Sequence, residues 1–246
     1  MSQESAPWYA RAFDAVYLEV YAHRDATEAE RVTARLLEPL QLAEKRVLDL
    51  ACGAGRYGAA LLRRGAKVVG LDLSAALLAE ARKHTGACVR GDMQQLPFAA
   101  ARFDLVLSMF TSFGYLVHAE DDRRVLDEVR RVLAPEGLLV LDVMNAEAVR
   151  PRLPSRTHRT AGRFEIDEFR RLESDDVVVK EIVVRSAGEV QRYEERVRLW
   201  PQATLVESLA SARLPVRRCW GSYDGDAFDP LRSARLVVLA GGSQTA

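Results

Sequence analysis

Lysine is scarce in this 246-residue chain: it stands only at positions 45, 67, 83 and 180, and arginine supplies the rest of the 35 basic residues. An equal number of Asp and Glu, 35, cancels them, and dividing the chain at residue 150 leaves both parts close to balance. No long basic tract is left to follow a phosphate backbone, so no nucleic-acid partner is expected. Cysteine is rarer still. Cys52, Cys88 and Cys219 show neither zinc spacing nor that of a redox pair, which excludes a disulfide framework and leaves no metal expected. Small buried thiols of a reducing compartment are the simplest reading of them. No apolar run approaches the roughly 20 residues needed to cross a bilayer. Met1-Ser2-Gln3-Glu4-Ser5 lacks the basic and apolar regions of a signal peptide. These absences predict a cytoplasmic protein with no membrane partner.

What is present is organised around Arg46–Gly58. Val47, Leu48 and Leu50 form an apolar run of strand length interrupted by Asp49; Gly53 and Gly55 break it, and residues 56–64 read as a helix. A strand, a glycine turn and a helix form half of a βαβ unit. Glycine suits the turn because it tolerates the tight backbone and lets a ligand lie against the main chain. The free amides of the next helical turn face that ligand.

Further along, Lys67–Ser74 is an almost continuous apolar strand ending in Asp72, with Ser74 placed to cap a helix over 75–84. Cys88–Met93 is a short strand ending near Asp92, and Phe103–Phe110 a fourth. Residues 111–118 read as a loop, 120–133 as a helix, Pro135-Glu136-Gly137 as a turn and Leu138–Met144 as a fifth strand. Strands alternating with helices predict an α/β fold, a doubly wound, Rossmann-like and mostly parallel sheet. Upstream, aromatic and apolar residues from Trp8 to Tyr21 recur at helical spacing, and 27–42 continues as a second amphipathic helix. After the fifth strand, 150–163 holds five arginines, two prolines and no acid, and reads as a connector. Three alternating or β-branched runs between 163 and 200 predict an antiparallel insertion, followed by a helix over 202–212 and two last strands. The organisation expected is a helical lid (1–43), a nucleotide-binding core (44–149), an antiparallel β insertion (150–201) and a closing helix with a strand pair (202–246).

Gly53-x-Gly55-x-x-Gly58 with Asp72 ending the second strand also fits a dinucleotide site. Asp49, four residues before Gly53, is awkward beside a pyrophosphate and suits a ligand carrying an amine. Asp92 ends the third strand, where an adenine amino group needs an acceptor. A cation, a ribose diol and an adenine, each met by an acid on successive strand ends, describe S-adenosylmethionine better than NAD. An NAD-dependent oxidoreductase and a nucleotide-binding protein without turnover remain the alternatives.

Residues 46–144 resemble a class I S-adenosylmethionine-dependent methyltransferase of the small-molecule type. Val47–Gly55 is similar to its glycine-rich first motif and Val69–Ser74 to its second strand. Gly91-Asp92-Met93 with Leu96-Pro97-Phe98 resembles the adenine segment, and Phe103–Val106 and Leu133–Leu139 the fourth and fifth strands. The resemblance implies that Asp49, Ala51, Gly53 and Gly55 meet the methionine part and Asp72 the ribose. It likewise puts Leu73, Asp92 and Met93 on the adenine, Met109 and Phe110 beside the sulfonium, and Tyr17 and Tyr21 in the lid over the cofactor. Ligands of open α/β sheets bind beyond the carboxyl ends of the strands. The acceptor is therefore expected near Ser112, Tyr115 and His118, with His118 the one histidine near enough to serve as a base. An amine acceptor is favoured over an oxygen, and the 163–200 strands could pair two subunits.

Overall fold

The computed structural model describes Trp8, Tyr9, Val20 and residues 26–116 and 118–242. Tyr17, Tyr21 and most of the leading helix lie outside the described residues. Five strands, β1 (Arg46–Leu50), β2 (Lys67–Asp72), β3 (Cys88–Arg90), β4 (Phe103–Ser108) and β5 (Leu133–Asn145), line up parallel in the order β3-β2-β1-β4-β5. β11 (Arg235–Gly241) runs antiparallel along β5 from Leu138 to Met144, and β10 (Val216–Trp220) pairs with β11 outside it. The sheet is thus the doubly wound one that the alternating pattern predicts.

Both faces of this sheet are buried, which is why its strands read as apolar runs without alternation. On one face Leu48, Leu50, Val106, Leu139 and Leu141 meet α4 (Ala119–Val132) and α5 (Gln202–Ser211) through Val125, Leu126, Val129, Leu205 and Leu209. On the other, Val47, Leu105, Leu107 and Val140 meet α1 (Ala26–Val32) and α2 (Arg56–Leu62) through Ala29, Val32, Ala60 and Leu61. Each fully buried Val or Leu among these contributes roughly 1.5–3 kcal/mol. α3 (Ala75–Thr85) starts where predicted, with the Ser74 hydroxyl accepting from the Leu77 amide at 3.2 Å.

Three local expectations differ from the structure. The helix predicted over 27–42 is α-helical only to Val32, then widens into a π turn and closes as a 3₁₀ turn at Glu38–Leu40. Pro39 lacks the amide a continuing helix needs. Pro135-Glu136-Gly137 is part of β5, where the pairing with β4 slips between Phe103 and Leu105. The connector contains a strand, β6 (Arg156–Ala161), paired over its whole length with β7 (Phe164–Ser174).

β7, β8 (Val177–Ser186) and β9 (Glu189–Trp200) form the predicted meander, and Ala187 and Gly188 turn the β8–β9 hairpin with φ of 49° and 87°. Positive φ at both central residues is the type I′ geometry that matches strand twist. The insertion joins the main sheet at its far end. β9 pairs parallel with Met144 and Asn145, on the edge of β5 that β4 has vacated after Leu141. It also lies on the 3₁₀ turn Ser112–Tyr115: Phe113 stacks on Trp200 at 5.1 Å, and Arg198 pairs with the buried Asp122 of α4. A Cβ added at Gly114 would sit 2.9 Å from the Arg198 carbonyl and 3.1 Å from Val197 Cγ1.

That contact gives a test of the docking. Gly114→Ala cannot be accommodated by a flexible side chain, because the obstacle is β9 backbone, and overpacking of this kind costs about 1–3 kcal/mol. Thermal melting should show Tm lowered by several degrees. An unchanged Tm would mean that β9 does not press on this turn.

Candidate active site

The loop between β1 and α2 is shaped by close packing. Ala51, Gly53 and Gly55 have φ of 55°, 54° and 80°, and the Gly55 amide donates to the Cys52 carbonyl at 2.9 Å. A Cβ on Gly55 would stand 3.0 Å from Ala81 Cβ, and one on Gly58 would stand 2.7 Å from Thr85 Cγ2. The two glycines therefore let α2 rest on α3, and this contact sets how far the loop lies from the ends of β1 and β2. Gly53 and Ala51 border the cavity beside the loop, whereas Gly55 does not. Its part is in packing and in the turn.

The cavity has a volume of about 590 Å³, the size of a small-ligand or cofactor site. Asp49 stands at its floor, 2% exposed, with Oδ2 accepting from the Gly58 amide at 3.0 Å. Burial, partly offset by that amide, pushes its carboxyl up to about 7. Asp72 ends β2 with Oδ2 accepting from the Gly53 amide and Oδ1 from the Ser74 amide, both at 2.8 Å. Burial raises its pKa against those amides. A carboxylate has about four lone-pair sites, so Asp72 keeps capacity beyond its backbone donors. Two adjacent hydroxyls fit that capacity. Asp92 is exposed at the cavity's rim and forms a local turn, with Oδ1 accepting from the Gln94 amide at 2.8 Å. Leu73 and Met93 border the same end, so the structure brings all three acids together.

The other end is apolar and aromatic: Met109, Phe110, Ser112 and Tyr115 line it. Ser112 is buried with its hydroxyl donating to the Met109 carbonyl at 3.2 Å, and Trp8 meets Tyr115 edge to face at 5.0 Å. His118 does not belong to this group. It is exposed, ahead of α4, where its main-chain carbonyl accepts from the Asp121 and Asp122 amides. Nearness in sequence suggested it, but among the described residues the cavity lining along this stretch ends at Leu116.

Phe110 and Thr111 are both left-handed, with φ of 63° and 65°. For residues other than glycine this costs roughly 1–2 kcal/mol each. Asp142 of β5 holds the pair: its Oδ2 accepts from the Phe110 amide at 2.7 Å and its main-chain carbonyl from the Thr111 amide at 3.1 Å. Asp142 is fully buried and is met by Arg235 Nε at 2.9 Å and by the Tyr223 hydroxyl at 2.6 Å. Burial and then the Asp142 charge push the Tyr223 phenol up, so it stays the donor.

Sequence reasoning missed Tyr9, Arg56 and Leu77, which also line the cavity, and the whole Asp142 cluster behind it. Arg56 pairs with Glu28 of α1 at 2.7 Å and lies 4.8 Å from the Phe110 ring. A basic residue immediately after the glycine turn was the one available signal for it. Among the described residues no cluster of metal-ligating side chains occurs, and no helix is long and apolar enough to cross a membrane.

Residues 47–137 match the family model of the methyltransferase domain. A malonyl-[acyl-carrier protein] O-methyltransferase from Legionella pneumophila is 36% identical over 135 residues, 50% of this chain and 46% of that protein. The chain spans about half the length of the first curated relatives it matches. The solved structure of the sugar N-methyltransferase KedS8 from Streptoalloteichus superposes with a TM-score of 0.71 over 99% of both chains, at 21% identity. At that identity the likeness is one of fold. The demethylmenaquinone methyltransferase of Clavibacter sepedonicus is 32% identical over 186 residues, 73% of this chain and 69% of that protein. A relative matched this well over more than two thirds of its length places the chain in the class I S-adenosylmethionine-dependent methyltransferase family, with S-adenosylmethionine as its cofactor.

Proposed function

We propose that the protein methylates a small-molecule acceptor in the cytoplasm, at nitrogen in preference to oxygen. The observation that carries this reading is the two-ended cavity: acids on three successive strand ends at one side, and an apolar, aromatic wall at the other. In this reading Asp72 accepts from both ribose hydroxyls, Asp92 and Met93 hold the adenine edge and face, and Leu73 packs on it. Asp49 faces the methionine ammonium, and Ala51 and Gly53 let the chain of the ligand pass. Met109 and Phe110 border the methyl group, and Ser112 and Tyr115 the acceptor. When bound, the cofactor supplies an electrophilic methyl carbon that passes to the acceptor lone pair as the carbon–sulfur bond breaks.

The protein's contribution is alignment in a closed space, which can supply most of what a displacement of this kind requires. The names of the relatives include both O- and N-methyl transfer, so nitrogen rests on the cavity's own chemistry. Met109, Phe110 and Leu116 offer no base there, and the polar groups at that end are the Ser112 and Tyr115 hydroxyls, with no carboxylate or imidazole beside them among the described residues. An amine needs none, since it attacks through its own lone pair and sheds its proton to solvent afterwards. Residues 1–43, with Tyr17 and Tyr21, complete this reading as a lid. Pairing of two subunits through 163–200 is consistent with the exposed Phe169, Leu172 and Val190.

Calorimetric titration with S-adenosylmethionine, S-adenosylhomocysteine and NAD is the direct test. The first two should bind and NAD should not. Asp72→Ala should weaken both by roughly 10–100-fold, since hydrogen bonds to a charged group are worth about 1.5–3 kcal/mol. Binding of NAD alone would overturn the reading, and an acceptor screen that turned over only phenols or carboxylates would overturn nitrogen.

Asp49 adds a pH dependence. The unfolded carboxyl titrates near 4 and the folded one at about 7. The free folded state therefore binds the extra proton between those values, and this group's stabilisation, full below about pH 4, is lost as pH rises through 7. A cationic ammonium prefers the ionised form. S-adenosylmethionine affinity should thus rise between pH 5.5 and 7 by up to about tenfold per unit, and Asp49→Asn should flatten that rise. An equally steep rise in the variant would assign the titration to another group.

A further inference from the structure

The turn that closes β4 is held against its own backbone preference by one buried residue. Neither Phe110 nor Thr111 is glycine, both are left-handed, and Asp142 grips the two in succession, one amide by its carboxylate and the next by its carbonyl. The Gly114 amide then donates to the Thr111 carbonyl at 2.8 Å, so the Ser112–Tyr115 turn inherits its position from this grip.

Asp142 is itself held from β11 and from the segment before it. The Arg235 guanidinium engages both carboxylate oxygens, and the Tyr223 hydroxyl takes Oδ2. Arg235 acts on Phe110 a second time, because its guanidinium lies 5.3 Å from the Phe110 ring as well as 4.5 Å from that of Tyr223. A planar, forked cation suits both tasks, two carboxylate oxygens in its plane and aromatic rings against its face, and an ammonium suits neither as well. Phe110 borders the cavity; Arg235 and Tyr223 do not.

We propose that Arg235, assisted by Tyr223, is a positioning residue for methyl transfer: it fixes the Phe110–Thr111 turn at the methyl end of the cavity and acts on bound cofactor only through that turn. The inference rests on the functional reading above, which assigns that end of the cavity to the methyl group. If Arg235 merely stabilised the β5–β11 pair, its loss would lower stability and leave ligand discrimination untouched.

The test compares the affinities of S-adenosylmethionine and S-adenosylhomocysteine in the same folded protein, by calorimetry, with thermal melts alongside. These ligands differ only in the methyl group and the charge on sulfur, so the ratio of their affinities reports on the methyl end alone. Arg235→Lys keeps a cation but loses the fork and the ring contact; Tyr223→Phe keeps the ring and removes one donor. Affinity for S-adenosylhomocysteine, held by β1, β2 and β3, should change less than about threefold in either variant. The ratio should shift by about tenfold in Arg235→Lys and by less, in the same direction, in Tyr223→Phe. Adding Thr111→Gly to Arg235→Lys should return the ratio toward wild type, because glycine enters the left-handed region without strain. A ratio unchanged in both variants, or a parallel loss of both ligands, would make Arg235 a purely structural residue. If Arg235→Lys fails to fold, Tyr223→Phe alone decides by the same ratio. Wild-type protein that binds neither ligand would remove the functional reading, and this inference with it.

Discussion

A carboxylate closed off from water has to be answered by everything around it, and Asp142 is such a group. Burying an ionised carboxylate is tolerable only when each oxygen finds donors, and removing one partner of a buried pair typically costs 3–5 kcal/mol. Here the donors come from three places: the end of β4, the segment after β10 and the start of β11. Satisfying this one side chain ties the last parallel strand, its antiparallel neighbour and the cavity wall into one arrangement. The left-handed turn at Phe110–Thr111 persists because the alternative would leave that charge short of a donor.

The other half of the cavity depends on a complementary constraint, closeness of backbone rather than pairing of charge. Gly55 and Gly58 bring α2 against α3, and the Asp49 carboxylate beneath Gly58 has no room to relax toward solvent. Its raised pKa and the tight loop have the same origin. One end of the cavity is thus rigid because main chain lies on main chain, and the other because an ion pair is buried behind it.

What was legible in the sequence follows from these origins. Strand-end acids such as Asp72 and Asp92 are announced by apolar runs that stop at a carboxylate beside a glycine turn, and those signals are local. The insertion's long strands were legible through alternation, but β6 was not. Arg-Thr-His-Arg-Thr-Ala has no apolar side, because an edge strand covered on one flank can expose much of each side chain. Arg235 was invisible for a different reason. At the head of an apolar strand it looks like a solvated end, and its partner stands 93 residues earlier. Phe110 and Thr111 carry no glycine to betray a left-handed turn, since the tertiary contact overrides propensity. His118 shows the converse error, proximity along the chain taken for proximity in space.

The spacing of Asp142 and Arg235 also orders events at the ribosome. Synthesis runs from the glycine loop toward β11, so every nascent chain passes through lengths at which β1 to β5 have emerged while the guanidinium for Asp142 has yet to be made. Over those 93 residues the carboxylate has to remain hydrated, and the segment that will border the cavity has no reason to leave ordinary backbone conformations. The insertion is translated within that same interval, so β9, which lies against the Ser112–Tyr115 turn, exists before Arg235 does. Maturation of the pocket is therefore assigned by chain order to β11, far from the motif that advertises it.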